Sequence, residues 1–106
     1  MSASCMSDVT EEKLEKGARC LKTLAHPLRL KILTVIGDGE VSVGQMLEAI
    51  GTTQSNVSQH LGQMRDKGVL ASRKEANQVF YRIKNPRVFD LLALVRELFC
   101  EPQEEG

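Results

Sequence analysis

Apolar residues recur along this chain in several helix-length stripes, interrupted once by a strand-like alternation. Leu14, Ala18, Leu21 and Ala25 are spaced three or four apart and mark the apolar side of a first helix. Asp8 or Thr10 can cap it, and Glu11 and Glu12 suit its first turn. Pro27 fits the opening turn of a second helix, where its missing N–H costs nothing. Leu28, Leu30, Ile32, Leu33, Val35 and Ile36 make that helix the centre of a core, and Gly37-Asp38-Gly39 stops it. Ser42 followed by Gln45 is a capping-box pattern, and Val43, Met46, Leu47 and Ile50 complete a short amphipathic helix. Gly51 can end it in the left-handed conformation, and Thr52 or Thr53 caps the next helix, whose stripe is Val57, Leu61 and Met64. A short helix, a tight glycine turn and a longer helix make a helix-turn-helix unit.

The period then changes. Gly68 closes the longer helix, and the runs 69–75 and 78–83 read as strands. Val79, Tyr81 and Ile83 alternate with Gln78, Phe80 and Arg82. Ala76-Asn77 fits a two-residue turn, so the pair forms a β-hairpin, or wing. Asn85-Pro86 opens a last helix in which 88–100 carries only Asp90, Arg96 and Glu97 as charges. Leu91, Leu92, Ala93, Leu94, Val95, Leu98 and Phe99 wrap most of its circumference, which calls for burial on two sides: a second copy of the chain is the favoured cover, and a helix folded entirely into the monomer core is the alternative. The predicted fold is mainly α with a β-hairpin wing (α+β), a winged helix-turn-helix in the order α-α-α-α-β-β-α. It spans residues 9–101, between a disordered lead at 1–8 and an acidic tail at 102–106.

Composition narrows the function. With 106 residues the chain holds one domain, and its four aromatic residues leave the core to Leu, Val, Ile and Met. No apolar run is long enough to span a bilayer and no secretory signal pattern opens the chain, so a cytoplasmic location and no membrane partner are expected. The net charge is zero, but residues 51–86 carry six basic and two acidic groups, while 87–106 carry two basic and five acidic. That basic block coincides with the longer helix and the wing. Opposite its buried stripe the helix presents Ser55, Ser58, Gln59 and Gly62. Hydroxyls and amides offer both donors and acceptors, as base edges in a DNA groove require; a weakly helical solvated face is the alternative. No catalytic Ser/His/Asp set, phosphate loop or paired carboxylates occur at useful spacing, so no enzyme and no cofactor are expected.

Several segments together resemble the ArsR/SmtB winged-helix repressors. They are the run from Leu24-Ala25-His26-Pro27 through Leu28-Arg29-Leu30-Lys31-Ile32-Leu33, then Ser42 to Met46, Gln54 to Leu61, Arg65 to Leu70 and Val79 to Ile83. The resemblance covers about residues 10–100. It implies a homodimer, joined through its first and last helices, that binds double-stranded operator DNA as an inverted repeat and releases it on an inducer signal. It also implies that Gln54, Ser55, Ser58, Gln59 and His60 face DNA. Geometry alone supports Ser55, Ser58 and Gln59, and Gln54 can reach past the helix end. His60 lies about 60° from the buried stripe, so a structural or phosphate-contact role stands level with base readout. Arg73, Lys74 and Arg82 are the wing-to-phosphate residues or solvated strand charges, with two of the three expected to reach DNA.

The inducer depends on the cysteines. Metal-sensing members carry Cys-x-Cys in the third helix or Asp/His ligands on the last; here neither set is intact, so no metal site is expected. Cys100 matches the terminal cysteine of the sulfide- and persulfide-responsive branch, but Thr34 stands where that branch has its other cysteine. Cys20, on the first helix, is the alternative partner, making Cys20 and Cys100 the sensing residues. Two other readings stay open: Cys5, Cys20 and Cys100 binding a thiophilic, arsenite-like ion, or thiols that merely pack. A winged-helix protein-interaction module is the rival to DNA binding as a whole.

Overall fold

Each expected helix starts beside a side chain that accepts from one of its free N–H groups. In the computed structural model, which describes residues 9–100, Thr10 caps α1 (Glu11–Leu24) by accepting from the Lys13 amide at 3.1 Å. His26 Nδ1 accepts from the Leu28 amide at 3.1 Å to open α2 (Pro27–Ile36), with Pro27 in its first turn. The capping box before α3 (Val43–Ile50) closes both ways, Gln45 N–H to Ser42 Oγ at 3.1 Å and Ser42 N–H to Gln45 Oε1 at 2.9 Å. Gly51 ends α3 at φ 81°, and Thr53 caps α4 (Gln54–Asp66). The lead at 1–8, Cys5 and the tail at 102–106 lie outside the described residues.

The wing is a hairpin of β2 (Leu70–Glu75) and β3 (Gln78–Ile83), in register from Leu70 opposite Ile83 to Glu75 opposite Gln78. Its turn places Ala76 at φ 57°, in the left-handed region that a side chain enters at some cost. A third strand, β1 (Val41–Ser42), was not expected. It pairs antiparallel with β3, so the sheet order is β1-β3-β2. Two residues are too few to show a period, and the pairing partner lies about forty residues away. β1 anchors the wing to the helix-turn-helix, because Ser42 both pairs with Phe80 and caps α3.

After the wing, Asn85 Oδ1 accepts from the Arg87 amide at 2.9 Å and α5 (Arg87–Val95) begins. The single helix expected to Cys100 instead widens into a π-helical segment, Arg96–Cys100. The core lies between α2, α3, α4 and the sheet, with Ile32, Leu33, Met46, Val57, Leu61 and Met64 all fully buried. The apolar stripe of α1 takes almost no part: only Leu24 is buried, while Leu14 and Leu21 are more than half exposed. Leu94, Leu98 and Phe99 are likewise exposed, Phe99 to 79%. Between α1, α2 and α5 an open apolar groove of about 240 Å³ is lined by Leu21, Leu24, Leu30, Leu91, Leu92 and Val95, among others.

Candidate nucleic-acid interface

The two faces of α4 separate as its periodicity implies. Val57, Leu61 and Met64 are fully buried, whereas Gln54, Ser55, Ser58 and Gln59 are exposed. Among the described residues, the side chains of Ser55, Ser58 and Gln59 have no hydrogen-bond partner, so their donors and acceptors are available to an incoming ligand. Asn56 is used differently: its Nδ2 donates to Thr52 Oγ1 at 3.3 Å, tying the helix to the turn before it.

His60 turns inward rather than joining this row. It is half-buried, and its Nδ1 accepts from Arg29 Nε at 2.9 Å. Its ring lies 4.5 Å from that of His26, tilted by 53°. Partial burial pushes the His60 imidazole below its usual pKa, and the neighbouring His26 and Arg29 push the same way. Arg29 was not singled out from sequence; it stands 31 positions from His60, and no periodicity links the two.

The three wing cations do not form one patch. Directly paired residues share a face of the sheet, so Arg73 (opposite Phe80) and Arg82 (opposite Ala71) lie on one side and Lys74 (opposite Val79) on the other. The Arg73 guanidinium grips both oxygens of Glu40, with Nε at 3.0 and 2.9 Å and Nη2 at 2.8 Å, and its Nη1 donates to Glu75 at 2.6 Å. It also lies 4.8 Å over the Phe80 ring. The Arg73 hydrogen bonds hold the Glu40 carboxyl below the usual range, while the two carboxylates raise the guanidinium. Arg73 is thus already engaged. Lys74 and Arg82 are exposed, Lys74 without an ion pair among the described residues and Arg82 near enough to Glu40 to favour its charged form.

A helix anchored in the core by one face, with an exposed hydroxyl- and amide-rich face opposite and a wing carrying exposed cations after it, defines a winged helix-turn-helix DNA-binding protein. Comparison with known proteins agrees. A family model described as a helix-turn-helix domain matches residues 24–73. A biofilm growth-associated repressor of Agrobacterium fabrum is 37% identical over 94 residues, covering 89% of this chain and 80% of the relative. HlyU of Vibrio cholerae, a transcriptional activator, superimposes with TM-score 0.77 at 36% identity over 87% of this chain and all of the other. The transcriptional repressor BigR of Xylella fastidiosa gives TM-score 0.80 at 33% identity over 96% and 100%. The chain belongs to the ArsR/SmtB family of winged-helix transcriptional regulators. Its relatives are DNA-binding regulators rather than enzymes, and no described helix is long and apolar enough to cross a membrane.

Proposed function

We propose that this protein is a homodimeric repressor that binds an inverted-repeat operator through α4 and releases it when Cys20 and Cys100 are modified. The observation that carries the dimer is the set of exposed large apolar side chains, Leu14 and Leu21 on α1 with Leu94 on α5 and Leu98 and Phe99 in the π-helical segment after it. Large apolar residues gathered on two neighbouring elements mark an interface, and a two-fold axis through them pairs α1 and α5 with their copies. The dimer then presents two α4 helices to successive major grooves about 34–36 Å apart. Gln54, Ser55, Ser58 and Gln59 read base edges, while Lys74 and Arg82 meet phosphates. The similarity to two named repressors supports repression as the outcome.

For the signal, Cys20 is exposed on α1 and adjoins Leu21, and Cys100 follows Phe99 in the chain. Both positions belong to the elements of the proposed interface. Oxidation by a peroxide joins the two thiols as a disulfide, with the peroxide reduced to water, and alters the geometry that spaces the α4 pair. Gel shifts with an inverted-repeat duplex test the whole reading. Salt-dependent binding by a dimer is expected, with release on exposure to peroxide or persulfide. Replacing Cys20 and Cys100 together by Ser is expected to keep the affinity and abolish release. A monomer in sedimentation sinks the dimer, and a double Ser variant that still lets go sinks the thiol signal.

A further inference from the structure

Arg29 sits in the first turn of α2 and reaches the neighbours of α2 on both sides with a single guanidinium. Its Nη1 donates to the Thr23 carbonyl near the end of α1 at 2.6 Å. Its Nε donates to His60 Nδ1 at 2.9 Å and its Nη2 to Gln63 Oε1, both on α4. A guanidinium only donates, and its fork is planar and fixed, so three acceptors from two elements are held in one arrangement. The apolar stripe of α4 sets how deeply that helix is buried, but such contacts are non-directional and leave its rotation loosely defined. Hydrogen bonds to its middle and second half, at His60 and Gln63, supply the missing direction.

We propose that Arg29 is a positioning residue for DNA binding: it ties α4, through His60 and Gln63, to the end of α1, and so holds the two recognition helices of the dimer at a set angle and separation. The proposal rests on the dimeric operator-binding reading above. It accounts for an arginine within the otherwise largely apolar run 24–33, and for why His60 turns away from the exposed row on α4.

The clamp carries its own signature. Arg29 Nε–H can bond to His60 only if Nδ1 holds a lone pair, so the His60 proton resides on Nε2. His26 Nδ1 likewise accepts, from the Leu28 amide. The titratable and charged groups acting on His60 are His26, in the turn between α1 and α2, and Arg29 on α2; both oppose a second proton. Protonated at Nδ1, His60 would face Arg29 donor to donor, and the clamp opens. Mere addition of positive charge near DNA would tighten binding in acid. The clamp predicts the reverse, a loss of operator affinity as His60 protonates.

The test uses the full chain and fluorescence anisotropy on duplexes whose half-sites are set at several spacings, from about pH 5.5 to pH 8. Arg29→Lys keeps the charge and loses the fork. It is expected to weaken binding at the preferred spacing about tenfold or more, to weaken a single half-site far less, and to blunt the preference among spacings. His60→Asn, which keeps an acceptor but cannot titrate, is expected to flatten the pH profile. Nuclear magnetic resonance of the DNA-free protein gives an independent arm: α4 amide shifts should move with the His60 titration in the wild type and stay still in His60→Asn. If the wild type binds its duplex but Arg29→Lys keeps both the spacing preference and the pH profile, the Arg29 proposal is overturned and the operator reading survives. A wild type that binds no duplex at any pH sinks the operator reading, while static α4 amides through the His60 titration overturn the clamp on their own.

Discussion

Val57 and Gln59 are two positions apart on α4, yet one is fully buried and the other exposed, so one serves the core and the other is open to a ligand. Gln59→Ala is expected to cost about 1–3 kcal/mol of operator affinity and to relax preference at one base pair, measured against a set of single-base operator variants. Lys74→Ala and Arg82→Ala should weaken all sequences alike, each lowering the slope of log affinity against log salt by about one. Arg73→Ala acts by another route. It releases Glu40 and Glu75 as unpaired carboxylates on the wing, and the Glu40 pKa is expected to rise towards the ordinary range in an NMR titration. The polarity of α4 was legible because neighbours on one helix face lie three or four residues apart. The engagement of Arg73 was not, since Glu40 precedes it by 33 positions and touches it only after the sheet forms. His60 adds a pH term: its pKa is lowered on folding, so the neutral ring is favoured in the native state. The stabilisation is fully present above the unfolded value of about 6.5 and is lost as pH falls through the lower folded value. Thermal melts across that window, compared with His60→Asn, read it directly.

At the level of elements, caps are where sequence and structure agree most closely. Thr10, Ser42 and Thr53 each accept from the amide three residues on, and Gly51 takes the left-handed turn between α3 and α4. These are contacts within four residues, so spacing alone reveals them. Ser42→Ala is expected to cost about 0.5–2 kcal/mol in urea unfolding, towards the upper end because the residue is also buried and paired in β1. Two elements escaped. β1 depends on a partner strand from the far side of α4, and α5 widens into the π-helical Arg96–Cys100 without any proline or glycine to announce it.

For the whole molecule, the uncovered leucines of α1 and the exposed Leu94, Leu98 and Phe99 are the dominant feature. Hydrophobic periodicity predicts an apolar side for α1, but not whether this chain or a second one covers it. Leu14, Leu21, Leu94 and Leu98 remain outside the core. Leu98→Asp should shift sedimentation from dimer to monomer with little loss of secondary structure, and should reduce operator affinity along with the dimer. A monomeric variant that still binds the paired operator as tightly would contradict the proposed two-fold arrangement.

The sequence by itself determined the number and order of the α-helices, the hairpin, and the polar face of α4, because caps, turns and stripes are relations among near neighbours. Tertiary structure alone decided that Arg29 grips His60 and Gln63, that Arg73 is spent on Glu40 and Glu75, and that β1 joins the wing. Those partners are brought together only when elements distant in the chain pack, and no spacing along a sequence records which of them will meet.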